Sequence, residues 1–495
     1  MKKYLMKSHL MKKFLCLALV ALMAVSAIAC APRMTAPPAQ NGAGANQNKS
    51  AAEQKGDSAE QTEQKEDAAK QNSGEAGQNA ANEPDGGTSM EIWMSVGISA
   101  EEHQSKPQEE WKISEMLRGF EAKHPGVKIE LTVPVDQQVA HQTFKAAVLA
   151  GAAPDVANLW SGACLFSLRD VVLHLDKHLT DDDWKNIIEA AWTPLYDNFS
   201  GPLLGFPYGG IEVNLILVNK KLLKECGYDM DANPIETMED LYAACEAAKG
   251  AGKIPILSTD NGANMLMTNV FGSQWINLSG LERIFSNSMG ETKYAEDEGF
   301  LRTIALCADL YAKGYINEDY ATAQAIDTMF YQEEGVMMGS GNWELGNAIK
   351  NMGEENVDFI MVPWPEPNPP HKIRGVGGVG QCLAIAMNSR NTDLALSFCA
   401  FALNRENSLI QSRSAPVIPF RSDISTKTDL GWNTPLYQKL EKAGANCGYY
   451  PDGAQSLEVM MEFFKQGTLV VTGEMTPEEF AARLDQKAAE AKAQR

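Results

Sequence analysis

The chain is 495 residues long and carries 64 acidic against 43 basic side chains, a formal net charge of −21 at pH 7. That balance disfavours nucleic acid and anionic lipid surfaces as partners, since both are gripped by clustered Lys and Arg. About 400 residues of globular composition exceed what one hydrophobic core holds, so two lobes or domains are expected.

In chain order, the first feature is an export signal. Residues 1–13 carry five lysines and no acid, and FLCLALVALMAVSAIAC (14–30) is an apolar run closing on small residues. This is a charged n-region, an h-region and a cleavage zone over 1–29, shorter than a membrane span. Translation starts at Met1 or at Met11, where a second MKK begins. AIAC resembles a bacterial lipobox with Ala27 where Leu is more usual, which makes Cys30 the lipidated N-terminus of the mature protein. Ordinary secretion with cleavage near Ala29 is the alternative. Residues 31–88 have no aromatic side chain and too little apolar surface to offset ordering entropy. As a flexible coil this tether spans roughly 40–45 Å.

From Ser89 the pattern turns globular. MEIWMSV (90–96) reads as a strand. WKISEMLRGFEAKHPG is a helix with Trp111, Ile113, Met116, Leu117 and Phe120 on one stripe, ended by Pro125-Gly126. VKIELTVPV alternates as a strand does, QTFKAAVLAGAAPDV reads as a helix into a break, and VANLW as a short strand. The rhythm returns at 214–223, 239–252, 253–258 and 381–404, which predicts an α/β architecture with a largely parallel sheet. Seven cysteines follow the signal (Cys164, Cys226, Cys245, Cys307, Cys382, Cys399, Cys447). An odd number without C-x-x-C argues against a full disulfide framework and for buried small hydrophobes.

Several motifs invite a cofactor and fail on chemistry. RGVGGVGQ (374–381) holds the G-x-G-x-x-G spacing at Gly375, Gly377 and Gly380, but a dinucleotide site needs a strand before it and a helix after. Here four prolines precede it, QCLAIAM (381–387) behind it reads as a strand, and 394–405 contain no acid for the ribose. His174 and His178 lack further ligands, 229–240 has Pro234 where a calcium loop turns on Gly, and 247–255 lacks the first Gly and the Ser/Thr of a phosphate loop. No cofactor or metal is expected.

Taken together, FEAKHPGVKIEL (120–131), VLAGAAPDVANLW (148–160), GPLLGFPYGGIEVNLILVNKKLLKECGYD (201–229), PIETMEDLYAACEAAK (234–249) and FYQEEGVMMGSGNW (330–343) resemble the bacterial extracellular solute-binding proteins of family 1. This is the sugar-binding group typified by maltose-binding protein, and the resemblance covers nearly all of 89–495. Met238 replaces the group's usual Trp and Val218 its usual Tyr. The resemblance implies a two-lobed α/β, periplasmic-binding-protein-like (type II) fold with ligand in an interlobe cleft and closure about hinge strands. The lobes would be 89–211 with about 363–405, and 212–362 with about 406–495. DFIMVP (358–363) would be the return crossing, and the glycines at 375–380 would supply a bend near the hinge.

A sugar presents hydroxyls at its rim and C–H patches on its faces, so its site needs flat aromatic surfaces and a few fixed polar groups. Trp343 matches the family's stacking Trp. Glu212, a carboxylate in an otherwise apolar crossing strand, stands where maltose-binding relatives have a sugar-contacting Glu. Trp160 ends a strand at the crevice position. Trp275, Trp364 and Tyr208 flank turns, and Asn342, Glu344, Ser161 and Asn158 are further candidates, whereas Asp155 reads as a backbone cap. The expected protein is a monomeric, non-enzymatic receptor, lipid-anchored on the extracytoplasmic face. It would deliver an oligosaccharide to the permease subunits of an ABC importer. Its rivals are a secreted glycoside hydrolase, or the same fold holding a peptide, polyamine or phosphate ester.

Overall fold

The computed structural model describes residues 88–94, 106–134, 137–179, 184–260 and 265–494. The expected signal, Cys30 and all but the last residue of the tether lie outside the described residues. The strands in chain order are β1 (Thr88–Trp93), β2 (Val127–Thr132), β3 (Val156–Trp160), β4 (Phe206–Tyr208), β5 (Glu212–Asn219) and β6 (Ile254–Leu257). They continue with β7 (Gly335–Gly341), β8 (Val357–Ile360), β9 (Gly375–Gly378), β10 (Gln381–Ile385) and β11 (Cys447–Gly448).

They form two sheets, one per lobe. The first has the order β2-β1-β3-β10-β4, and the second β11-β9-β5-β7-β6, with β8 also paired to β5. Met90 and Ile92 of β1 alternate into the first core beside Phe120, whose helix (Lys112–Lys123) buries the stripe read from the sequence. β5 is buried on both faces. Its Val213, Leu215 and Leu217 enter one core, while Ile216 and Val218 enter another, the period-2 alternation of a strand sandwiched between layers. Asn219 then stops the strand and starts the helix Lys220–Glu225, its side-chain oxygen accepting from the Leu222 amide at 2.9 Å.

Parallel pairing is less general than expected. It joins β1 to β2 and β3, β6 to β7 and β11 to β9, whereas β10 and β5 run against their neighbours. The reason lies in the chain path: it enters each sheet by a crossing segment as well as by a helical connection. The return crossing is also displaced from its expected place. Residues 357–360 do not cross; as β8 they pair with β5, and the change of sheet falls between Gly378 of β9 and Gln381 of β10.

All seven cysteines after the signal are free thiols, five of them buried. Among the described residues no cluster of metal-ligating side chains occurs, and no helix is long and apolar enough to cross a membrane. His174 and His178 merely flank a single turn, Leu175–Lys177.

Candidate functional site

Strand ends from both sheets converge where the chain crosses between them. The outward crossing, Gly209-Gly210-Ile211, links Tyr208 of β4 to Glu212 of β5, with both glycines at positive φ (88° and 112°). The return crossing runs from Gly378, also at 112°, to Gln381. Gln381 lies in register with both Trp160 and Tyr208. Gly380 is the hub: the Ser161 amide donates to its carbonyl at 3.0 Å, and the Glu212 carboxylate rests against its α-carbon, where a Cβ would collide. A Cβ on Gly377 would likewise strike the Glu212 carbonyl. The glycines of RGVGGVG therefore permit close backbone approach, within and just after a strand.

β7 brings the third contribution. Gly341 pairs with Asn214 of β5, and the Trp343 indole lies over Gly341, where again only hydrogen fits. Trp160, Glu212 and Trp343 are all half-buried. The Tyr450 hydroxyl donates to Glu212 Oε2 at 2.6 Å, yet burial outweighs that bond and pushes the carboxyl up to about 7. Asn214 accepts from Asn269 Nδ2 at 3.2 Å beside it. The half-buried indoles of Trp160 and Trp343, the Glu212 carboxylate and the amides of Asn214 and Asn269 are side-chain types suited to holding a solute.

Other sequence candidates are placed differently. Asn342 is fully buried and acts as a knot between main-chain segments. Its amide donates to Ile211 O at 3.2 Å and Pro416 O at 2.9 Å, and its oxygen accepts from Val213 N at 2.9 Å. Asn158 is buried within the first sheet, donating to Cys382 O, and Tyr208 is buried beside Gln381. Asp155 is not the local backbone cap expected: it ties distant segments together, accepting from Glu91 N, Ser389 Oγ and Asn391 Nδ2.

Three candidates do not join the junction. Trp275 is wholly buried, its ring among Tyr294, Phe300 and Phe463 and its N–H on Asp297 at 3.2 Å, so it is a core residue. Glu344 is taken up by the hydroxyl of Tyr331 and the amide of Asn347. Trp364 stacks under Arg374, 4.2 Å from ring centroid to guanidinium, along a groove of about 960 Å³ beside β8. β8 pairs with Ile216–Asn219, the half of β5 remote from Glu212.

The sequence reading missed Tyr449, Tyr450 and Asp452. Tyr449 meets Ser161 Oγ at 2.7 Å, and burial pushes the Asp452 carboxyl up to about 6. The available signal was GYYP (448–451), an adjacent tyrosine pair at a proline-stopped strand end.

Comparison with known proteins bears on the family and the fold. A family model described as bacterial extracellular solute-binding protein matches residues 115–442. An uncharacterized ABC transporter extracellular-binding protein of Pyrococcus horikoshii is 25% identical over 259 residues, 50% of this chain. The chain spans 56% of that relative's length. A chitin oligosaccharide binding protein has the same fold, with a TM-score of 0.69 and 18% identity over 82% of this chain and 99% of that one. So does the GacH receptor of Streptomyces glaucescens (0.66, 17%, covering 82% and 98%). A Thermus thermophilus maltotriose binding protein bound with maltotriose follows (0.60, 19%, 81% and 99%). At these identities the solved structures show the fold alone.

Proposed function

This chain belongs to the bacterial extracellular solute-binding protein family, and we propose that its solute is a carbohydrate, an oligosaccharide held at the crossing and passed unchanged to an ABC import permease. Three placements support this reading: Trp160 opposite Gln381, Glu212 against Gly380, and Trp343 over Gly341, opposite Asn214. Two indoles suit the C–H faces of sugar rings, and a carboxylate suits their hydroxyls. Asn214 and Asn269 add polar groups beside Glu212. The neighbours' printed ligands, a chitin oligosaccharide and maltotriose among them, support the same class.

With the boundary moved to the observed return crossing, the working lobes are 89–211 with about 379–405 and 212–378 with about 406–495, closing around the solute by hinge motion. No bond is made or broken. Micromolar affinity, roughly −8 kcal/mol, suffices for such a receptor. Cys30 carries the lipid that holds the protein at the extracytoplasmic face, and two acyl chains are needed for a lasting anchor.

Tryptophan fluorescence across a panel of neutral oligosaccharides tests the reading directly. A saturable change with at least one of them is expected, with the sugar recovered at its original length. A flat response throughout the panel, or shortened chains, defeats it. Replacing Cys30 by Ala should release the protein from the membrane fraction.

A further inference from the structure

The lobes also touch each other directly beside the junction, through atoms of the chain alone. The single proton of Ser161 Oγ goes to Val379 O at 2.6 Å, so the 2.7 Å contact with Tyr449 has the tyrosine as donor. The result is a directed chain: Tyr449 of the second lobe, Ser161 at the end of β3, and the return crossing at Val379. Burial pushes the Tyr449 hydroxyl well above its ordinary range, which keeps it a donor. Next to this, the Ala163 amide donates to Gly453 O at 2.9 Å. Gly162 packs so closely that a Cβ would sit 2.5 Å from both Gly453 O and the Tyr449 hydroxyl.

A second, independent observation marks the same seam. Phe199 has φ of 63°, a left-handed conformation unusual for an aromatic residue, and Asn198 before it has 50°. Such strain persists only where surroundings over-determine it. Here Phe199 packs against both the first-lobe and the second-lobe cores. Its ring meets Tyr449 edge-on at 5.8 Å and Phe285 at 6.0 Å from the second lobe, and Phe166 at 5.1 Å from the first.

We infer that Tyr449, with Ser161 and the strained Phe199, is an interlobe clasp that sets how much of the receptor is closed. It thereby tunes solute affinity without itself gripping the solute. The inference rests on the solute-binding reading of the junction. Closure held by the chain's own contacts raises the competent fraction, and apparent affinity scales with that fraction. Tyr450, the neighbour of Tyr449 in sequence, bonds Glu212. One dipeptide therefore touches both the clasp and the candidate solute site.

Hydrogen exchange on the full chain, read at peptides spanning 161–166, tests the clasp with no solute added. Tyr449→Phe removes one hydroxyl and should speed Ala163 exchange roughly fivefold, the worth of one hydrogen bond. Gly453→Ala is a second variant. Its Cβ would lie 2.8 Å from Tyr449 Cε1 without left-handed strain, and it should act in the same direction. Titration with the neutral oligosaccharide panel should show affinity weakened by up to the same factor in both. Exchange unchanged in both variants overturns the clasp. Faster exchange with unaltered affinity overturns its bearing on binding. A panel in which no sugar binds the parent sinks the carbohydrate reading instead, and the exchange arm still decides whether the clasp exists.

Discussion

The Tyr450 hydroxyl lies 2.6 Å from Glu212 Oε2, tying the exit of β11 to the first residue of β5. The bond lowers the Glu212 carboxyl, but burial raises it further, to about 7 from an ordinary 4.5. Between those values the folded chain holds a proton that the unfolded chain has lost. Glu212 therefore adds stability as pH falls through 7 toward 4.5 and withdraws it as pH rises. Thermal unfolding of Glu212→Gln should vary less over pH 5–8 than that of the parent. Parallel curves for the two proteins would refute this.

Trp343→Ala should raise the dissociation constant for a bound sugar by about tenfold or more, because the lost ring face has no substitute at the end of β7. Calorimetric titration measures it. Equal affinity in mutant and parent moves the solute elsewhere.

Gly380→Ala places a methyl group against the Glu212 carboxylate. The expected outcome is a stability loss of about 1–3 kcal/mol together with weakened binding, since the carboxylate must turn aside. Urea unfolding and titration read the two effects separately, and a neutral result in both disproves the close approach.

Asn342→Ala deletes three side-chain contacts to the main chain, at Ile211 of the outward crossing, at Val213 of β5 and at Pro416. Leaving buried groups unpaired should lower stability by about 2–3 kcal/mol. A urea midpoint equal to the parent's contradicts that role.

Trp275→Leu should lower stability by about 3 kcal/mol and leave solute affinity as it was, since the ring is enclosed by Tyr294, Phe300 and Phe463. Lost affinity at unchanged stability would return this residue to the list of solute contacts.

Much of the fold was legible because burial imposes periodicity. The stripe from Ile113 to Phe120 and the alternation in VKIELT announce a helix and a strand from local pattern alone. The change of sheet was not legible. Gly375–Gly378 is a strand almost without side chains, so its partner β5 is specified by backbone fit that periodicity does not record. At the site, Trp160 stood out as a strand end, Glu212 as a carboxylate in an apolar strand, and Trp343 by its likeness to the family's stacking Trp. Tyr449 and Tyr450 did not, because their position depends on a two-residue strand pairing with β9. Trp275 misled for the opposite reason: a turn nearby in sequence says nothing about the helices that later enclose an indole.

β5 sends its apolar side chains alternately into two separate interiors, while its polar Glu212 and Asn214 join neither. A substitution between Leu215 and Val218 therefore disturbs one interior or the other, while an exchange at Glu212 or Asn214 falls in neither core. Such a frame can be inherited unchanged while its cargo preference drifts. Descendants of this chain could acquire new diets by altering rim positions alone.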